Sequence, residues 1–353
     1  MCSAGRCDTT VSANCHLESF PTEHVKCVLK FSDTAPCLDA DQWLVIAPVP
    51  QTSPSQLVNS ATLTIDNADV VSRTALDQSV QQRPVQESSL LVSADGPKHS
   101  LAITASYDVV LTARWLEPGP STTPVPELSA VEIGDDLLNT PTTDYTSPVF
   151  QAWLDKQGLR KSTSEGDFNF ARRAFGIIRT LYTYRFYPNQ DRRASAICSA
   201  EAADCGGLSN LFVAVMRSAG VPARLDAGRW AMPGTSSNGL NAVHVKSEFY
   251  AAGIGWVPIE MSGAVSDKTG DPSLYFGRDT GQFLTMSVNT DYIIDAEQWG
   301  MKRLLALQGI CCWGEGAGTM NGSKQQDAWI ISPIGSTLAS PGSAASMTAS
   351  ARF

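Results

Sequence analysis

Residues 204–222 carry a complete helix signal with a cysteine in its first turn. Asp204 is a good N-cap. Leu208, Leu211, Phe212, Val215, Met216 and Ala219 then recur at the spacing of one helix face. Gly220 suits the C′ position, and Pro222 blocks continuation. A helix bounded this clearly needs an apolar core along one face, which limits the folds open to the chain. It also places Cys205 where unpaired backbone N–H groups and the helix dipole stabilise a thiolate and can bind a developing oxyanion. Gly206 and Gly207 are read as leaving room for a substrate backbone. Taken alone, a buried structural thiol at a helix start is the plainer reading of Cys205.

A thiol nucleophile wants a base. The chain has four histidines, His16, His24, His99 and His244, and only His244 follows residue 99. Over 241–250, Val243, Val245 and Phe249 alternate with His244, Lys246 and Glu248, which reads as a strand with one apolar face and His244 turned away from it. A second strand follows over 254–260, after a three-residue loop Ala251-Ala252-Gly253. Pairing Tyr250 with Ile254 sets His244 opposite Glu260, where a carboxylate can accept the imidazole N–H and fix its tautomer. An ordinary cross-strand ion pair is the alternative.

Other segments set the organisation. Residues 24–31, 42–47, 61–65, 89–92 and 107–115 read as short strands separated by turn residues, which suggests a β-sandwich. Residues 117–126 are Pro-rich and read as a linker. In 168–182 the apolar residues Phe168, Ala171, Phe175, Ile178 and Tyr182 mark a helix face. The expected divisions are a cysteine-containing extension (1–23), a β-sandwich (24–116), a linker (117–127), a domain carrying Cys205 and His244 (128–335) and a Ser/Ala/Gly-rich disordered tail (336–353).

Composition excludes some classes. The net charge is −9, and residues 1–120 hold 7 Lys+Arg against 13 Asp+Glu. A chain without basic clusters is a poor nucleic-acid binder. No stretch has the roughly 20 apolar residues of a membrane span. The first residues lack an apolar signal core, so a cytoplasmic location is expected. The nine cysteines show no zinc spacing, and no metal or other cofactor is expected.

The blocks 204–224 (Asp-Cys-Gly-Gly-Leu-Ser-Asn through Pro-Ala-Arg), 244–250 (His-Val-Lys-Ser-Glu-Phe-Tyr) and 255–260 (Gly-Trp-Val-Pro-Ile-Glu) resemble the microbial transglutaminase-like superfamily, as does 275–279. The resemblance implies an α+β, papain-like catalytic core over 128–335, preceded by the β-sandwich. It matches Cys205 to the family nucleophile and His244 to the family histidine. Glu260 stands where the family usually has Asp, one methylene shorter. The implied activity is cysteine-dependent acyl transfer on a peptide or protein amide through a thioester. Water as acceptor gives hydrolysis, an amine gives cross-linking or amide synthesis, and a silent interaction module is the third possibility. Trp230 and Trp256 are read as core before cleft. Tyr184 and Gln190 are oxyanion candidates without a place. Arg224 and Arg229 are read as salt-bridge residues, and Cys198 as a thiol near Cys205 in sequence.

Overall fold

The computed structural model describes residues 15–66, 75–78, 83–90, 99–121 and 123–335. The expected tail from 336, residues 1–14 of the expected extension and Leu91–Val92 lie outside the described residues.

Strand periodicity builds the first layer. In strand Ser100–Pro118, alternate residues from Leu101 to Leu111 are buried and their neighbours half-buried. This strand pairs antiparallel with Cys15–Thr34 along its whole length. Its other edge takes Gln56–Ile65. Strand Lys324–Pro333 pairs with the free side of Cys15–Thr34. A second sheet sets Leu38–Ala47 between Arg83–Leu90 and Cys311–Gly318. Cys27, Leu29, Trp43, Val45, Tyr107 and Trp329 form the core that the two sheets share.

The two-sheet layer was expected, but its boundaries differ from those read along the chain. Strand Cys15–Thr34 runs across the expected division at 23/24. Strands 311–318 and 324–333, assigned to the second domain, complete the first layer. Cross-strand partners far apart in the chain leave no local periodic signal, so a division read along the chain could not reveal them. Nor does the Pro-rich segment run free: the Pro126 carbonyl accepts from the Tyr250 hydroxyl at 2.6 Å.

The second layer is α+β. Its antiparallel sheet has the order Gly255–Ile259, Val243–Ala251, Ala223–Trp230, Phe283–Val288. Helices Pro148–Lys156, Asp167–Leu181 and Cys205–Ser218 share a core with it. The last is capped by Asp204, and Gly220 takes a φ of +74°, as the sequence predicts. Its burial goes further than one stripe, because every residue from Gly207 to Arg217 is buried. Its polar members are satisfied from neighbouring segments. Ser209 donates to the Val245 carbonyl, Asn210 to the carbonyls of Thr142 and Arg192, and Arg217 to that of Ala223.

Buried charges join the two layers. Arg114, on strand Ser100–Pro118, is paired with Glu248 on strand Val243–Ala251, and Arg224 meets the same carboxylate at 2.8 Å. Arg114 and Glu248 are both almost wholly buried. Asp226 lies in the same cluster, but burial and the Glu248 charge push its carboxyl up, so Glu248 supplies the negative charge. Glu248→Gln leaves two cations facing each other without it. The expected cost is about 3–5 kcal/mol of stability, read from urea unfolding. A loss under about 1 kcal/mol would mean that Asp226 and Asp279 neutralise both arginines unaided.

Candidate active site

The cysteine helix begins under tight local control. The Asp204 carboxylate accepts from Gly207 N at 2.9 Å and from Arg192 Nε and Nη2 at 2.9 and 2.5 Å. Gln190 Oε1 accepts from Asp204 N at 3.0 Å, while its Nε2 donates to the Ala202 carbonyl at 3.3 Å. Gln190 therefore splints the turn before the helix, and its amide is occupied there. The two glycines serve packing within the chain: a Cβ on Gly206 would come 2.9 Å from Arg192 Cδ, and one on Gly207 2.9 Å from Ile197 Cδ1. That corrects the expectation that they open space for substrate. Gly207 N and Leu208 N are both taken by Asp204. Among the described residues, the N–H groups of Cys205 and Gly206 at the helix start meet no hydrogen-bond acceptor.

Cys205 is half-buried and close enough to His244 for its charge and hydrogen bonding to raise the imidazole. On its far side, His244 Nε2 lies 2.9 Å from Glu260 Oε2, which leaves Nδ1 for the sulfur. The contact expected between His244 and Glu260 is present, but the register behind it differs. Tyr250 pairs with Trp256 and Ser247 with Ile259, and the loop is Ala252-Gly253-Ile254. A shift of two residues keeps every side chain on its own face, whereas a shift of one would have turned Glu260 away. Glu260 thus stands diagonal to His244, just past the strand end.

There it caps helix Met261–Ser266. Its Oε1 accepts from the Ser262 hydroxyl at 2.7 Å and from Gly263 N at 3.3 Å. The extra methylene of Glu lets one carboxylate cap the helix and hold the imidazole at once. Burial works against the charged forms of both partners. For His244, the Glu260 charge and the Cys205 and Glu260 hydrogen bonds overcome burial and raise the imidazole to about 10. For Glu260, the His244 charge and hydrogen bond, with Lys246 and Ser262, overcome burial and lower the carboxyl to about 2. Between those limits the pair is imidazolium and carboxylate.

The face carrying His244 is not a solvent face. His244, Lys246 and Glu248 are all buried. Lys246 meets Asp279 at 3.3 Å, which gives the segment 275–279 a place beside the site. Trp230 stacks on the His244 ring at 4.8 Å between centroids, so it belongs to the site and not only to the core. Trp256 lies elsewhere, under Arg224. Arg229 pairs with Asp327. Tyr184 is close enough for the charges of Cys205 and Glu260 to add to burial in raising its phenol to about 12. The Cys198 thiol donates to the Ser195 carbonyl and is free of disulfide. His16, His24 and His99 bond Glu18, Asp108 and the Leu38 carbonyl, away from the site.

Sequence reasoning missed Gln308. Its Nε2 donates to the carbonyls of His244 and Gly228 at 2.5 and 3.2 Å, holding the histidine strand from a loop far along the chain. A glutamine in a loop carries no signal for that role. Among the described residues, no group of three or more His, Cys, Asp or Glu is placed to hold a metal, and no helix is long and apolar enough to cross a membrane.

This geometry sits inside a recognisable segment. Residues 156–261 match the model of the transglutaminase-like superfamily, from before helix Asp167–Leu181 to just beyond Glu260. That segment carries the transglutaminase-like core. The fold of the whole chain is similar to that of a protein from Cytophaga hutchinsonii provisionally called a cysteine protease. The two are 12% identical, 93% of this chain and 94% of that one are covered, and the TM-score is 0.58. The periplasmic domain of TgpA from Pseudomonas aeruginosa also matches, at 12% identity over 73% of this chain and 96% of that one, with a TM-score of 0.33. Comparison with curated proteins gives no match.

Proposed function

We propose that this protein is a cysteine-dependent acyl-transfer enzyme that hydrolyses amide bonds in peptides or proteins. The observation that carries the reading is the unbroken chain from the Cys205 thiol through the His244 imidazole to the Glu260 carboxylate. The sulfur attacks the amide carbonyl as thiolate, and the carbonyl π pair moves onto oxygen. The N–H groups of Cys205 and Gly206 receive that oxyanion. When the C–N bond breaks, the His244 imidazolium gives its proton to the departing amine, and a thioester remains on Cys205. His244 then takes a proton from water as the water attacks the thioester. The acid leaves, and the proton on His244 restores the starting state. Glu260 keeps the imidazole in one tautomer and balances its charge throughout.

Hydrolysis is preferred to amine transfer because the Cytophaga hutchinsonii protein that shares this fold carries a protease description. The test is an acyl-donor peptide library read by mass spectrometry with and without an added primary amine. Free acids in both arms are the expected result. Amide products dominating when the amine is present would make the enzyme a cross-linking or amide-forming one. No acyl product in either arm, together with an unreactive Cys205, would leave an interaction module.

A further inference from the structure

We propose that Trp230 is a positioning residue that holds His244 in its charged, hydrogen-bonded orientation, by laying its indole ring against two cations on one strand face. The inference rests on the acyl-transfer reading for its meaning and on side-chain geometry for its support. His244 pairs across the sheet with Gly228, which has no side chain to cover it. A larger residue cannot take that place, because a Cβ on Gly228 would lie 2.0 Å from the Leu284 carbonyl oxygen. The diagonal position is Trp230, whose ring stacks on the imidazole at 4.8 Å and 28°. Phe283, directly across from Trp230, presents an edge-on contact to the same imidazole at 6.0 Å and 86°. The Trp230 carbonyl is itself fixed, accepting from Trp329 Nε1 at 2.7 Å.

Lys246 lies two residues along the same face, and its Nζ is 4.8 Å from the centres of both the Trp230 and Phe283 rings. An imidazolium and an ammonium on one buried face repel. Electron-rich ring faces set against both relieve that repulsion, most strongly for indole and when water is excluded. The other charged or titratable groups facing this cluster are Cys205 from the cysteine helix, Glu260 from the helix cap, Asp279 on Lys246, Asp226 across the sheet from Lys246, and Tyr184 near the sulfur. None of them replaces the ring. Glu260 anchors only Nε2, and contacts at the ring's two nitrogens leave the imidazole free to rotate about the line between them. The stacked indole removes that freedom and keeps Nδ1 aimed at the sulfur.

The test uses the full chain and needs no substrate. The His244 imidazole is titrated by NMR, assigned with His244→Asn, in wild type, Trp230→Leu and Trp230→Phe. Cys205 alkylation by iodoacetamide is followed over the same pH range. Trp230→Leu should lower the His244 midpoint by about one pH unit and slow Cys205 alkylation several-fold at neutral pH, with Trp230→Phe recovering roughly half of each change. A folded Leu variant with the wild-type midpoint would overturn the proposal and leave Trp230 a packing residue. If Trp230→Leu does not fold, the Phe variant decides: a smaller downward shift supports the proposal, and an unmoved midpoint overturns it. Uniformly slow alkylation of Cys205 in wild type would sink the acyl-transfer reading instead, and the titration would still judge Trp230.

Discussion

Cys205→Ala protein should fold as the wild type does and lose turnover by roughly 10³-fold or more. The two halves of that expectation have separate causes. Stability is preserved because the helix start is held by Asp204, Arg192 and Gln190, not by the sulfur. Alanine is also the best helix former, and the residue is only half-buried. Turnover is lost because, among the described residues, no other thiol is placed beside His244. The described cysteines Cys27 and Cys311 are pushed up by burial, to about 12 and about 11, and lie in the two-sheet layer. The measurement is hydrolysis of the best library peptide, with thermal unfolding as control. Activity within about tenfold of wild type would show that the sulfur is not the attacking atom.

Glu260→Gln should lower turnover by roughly 10²–10⁴-fold with substrate binding little changed, because the carboxylate acts on the imidazole and not on the substrate. The variant also has a signature in stability against pH. The folded imidazole is raised from 6.5 to about 10, so its share of stability is whole below pH 6.5 and is lost as pH rises through 10. The folded carboxyl is lowered from 4.5 to about 2, so its share is whole above pH 4.5 and is lost as pH falls through 2. The gap between wild type and variant in unfolding free energy should therefore be widest between pH 4.5 and 6.5 and narrow on both sides. A gap that stays flat from pH 3 to 10 would mean that His244 and Glu260 are not an ion pair. Glu260→Asp keeps the charge and a good N-cap. It should retain more activity than the Gln variant.

The residues that announce themselves in the sequence are those with a local rule behind them. The helix after Asp204 could be read residue by residue, because cap, apolar spacing and terminating glycine all act within one element. The meeting of His244 and Glu260 was legible through strand alternation, which constrains the face a residue occupies. Loop length was the weaker constraint: the turn is Ala252-Gly253-Ile254, and the pairing moved by two. The roles of Gln308, Arg114 and strand Lys324–Pro333 were not legible. Each depends on a partner more than 60 residues away in sequence, and a polar side chain that meets a distant carbonyl or carboxylate follows no period. Gly206 and Gly207 were misread for a related reason. A glycine records only that a Cβ is unwelcome, and the crowding atoms belong to Arg192 and Ile197 rather than to a ligand.

Strand Cys15–Thr34 takes one neighbour from roughly 300 residues later in the chain. A ribosome makes the chain in one direction, so that neighbour emerges long after the strand it completes. Until it does, one edge of the longest strand pair stays open, with Val25, Cys27, Leu29 and Phe31 on a face that will later be core. Loop-closure entropy must be met before this contact forms, which makes completion of the sheet slow by comparison with its local hairpins. The cysteine helix and histidine strand can pack early, yet the Gln308 clamp on His244 arrives only after a further 64 residues. Competence of the site is thereby tied to segments made after it, and a nascent chain carries its cysteine and histidine before it carries the means to hold them.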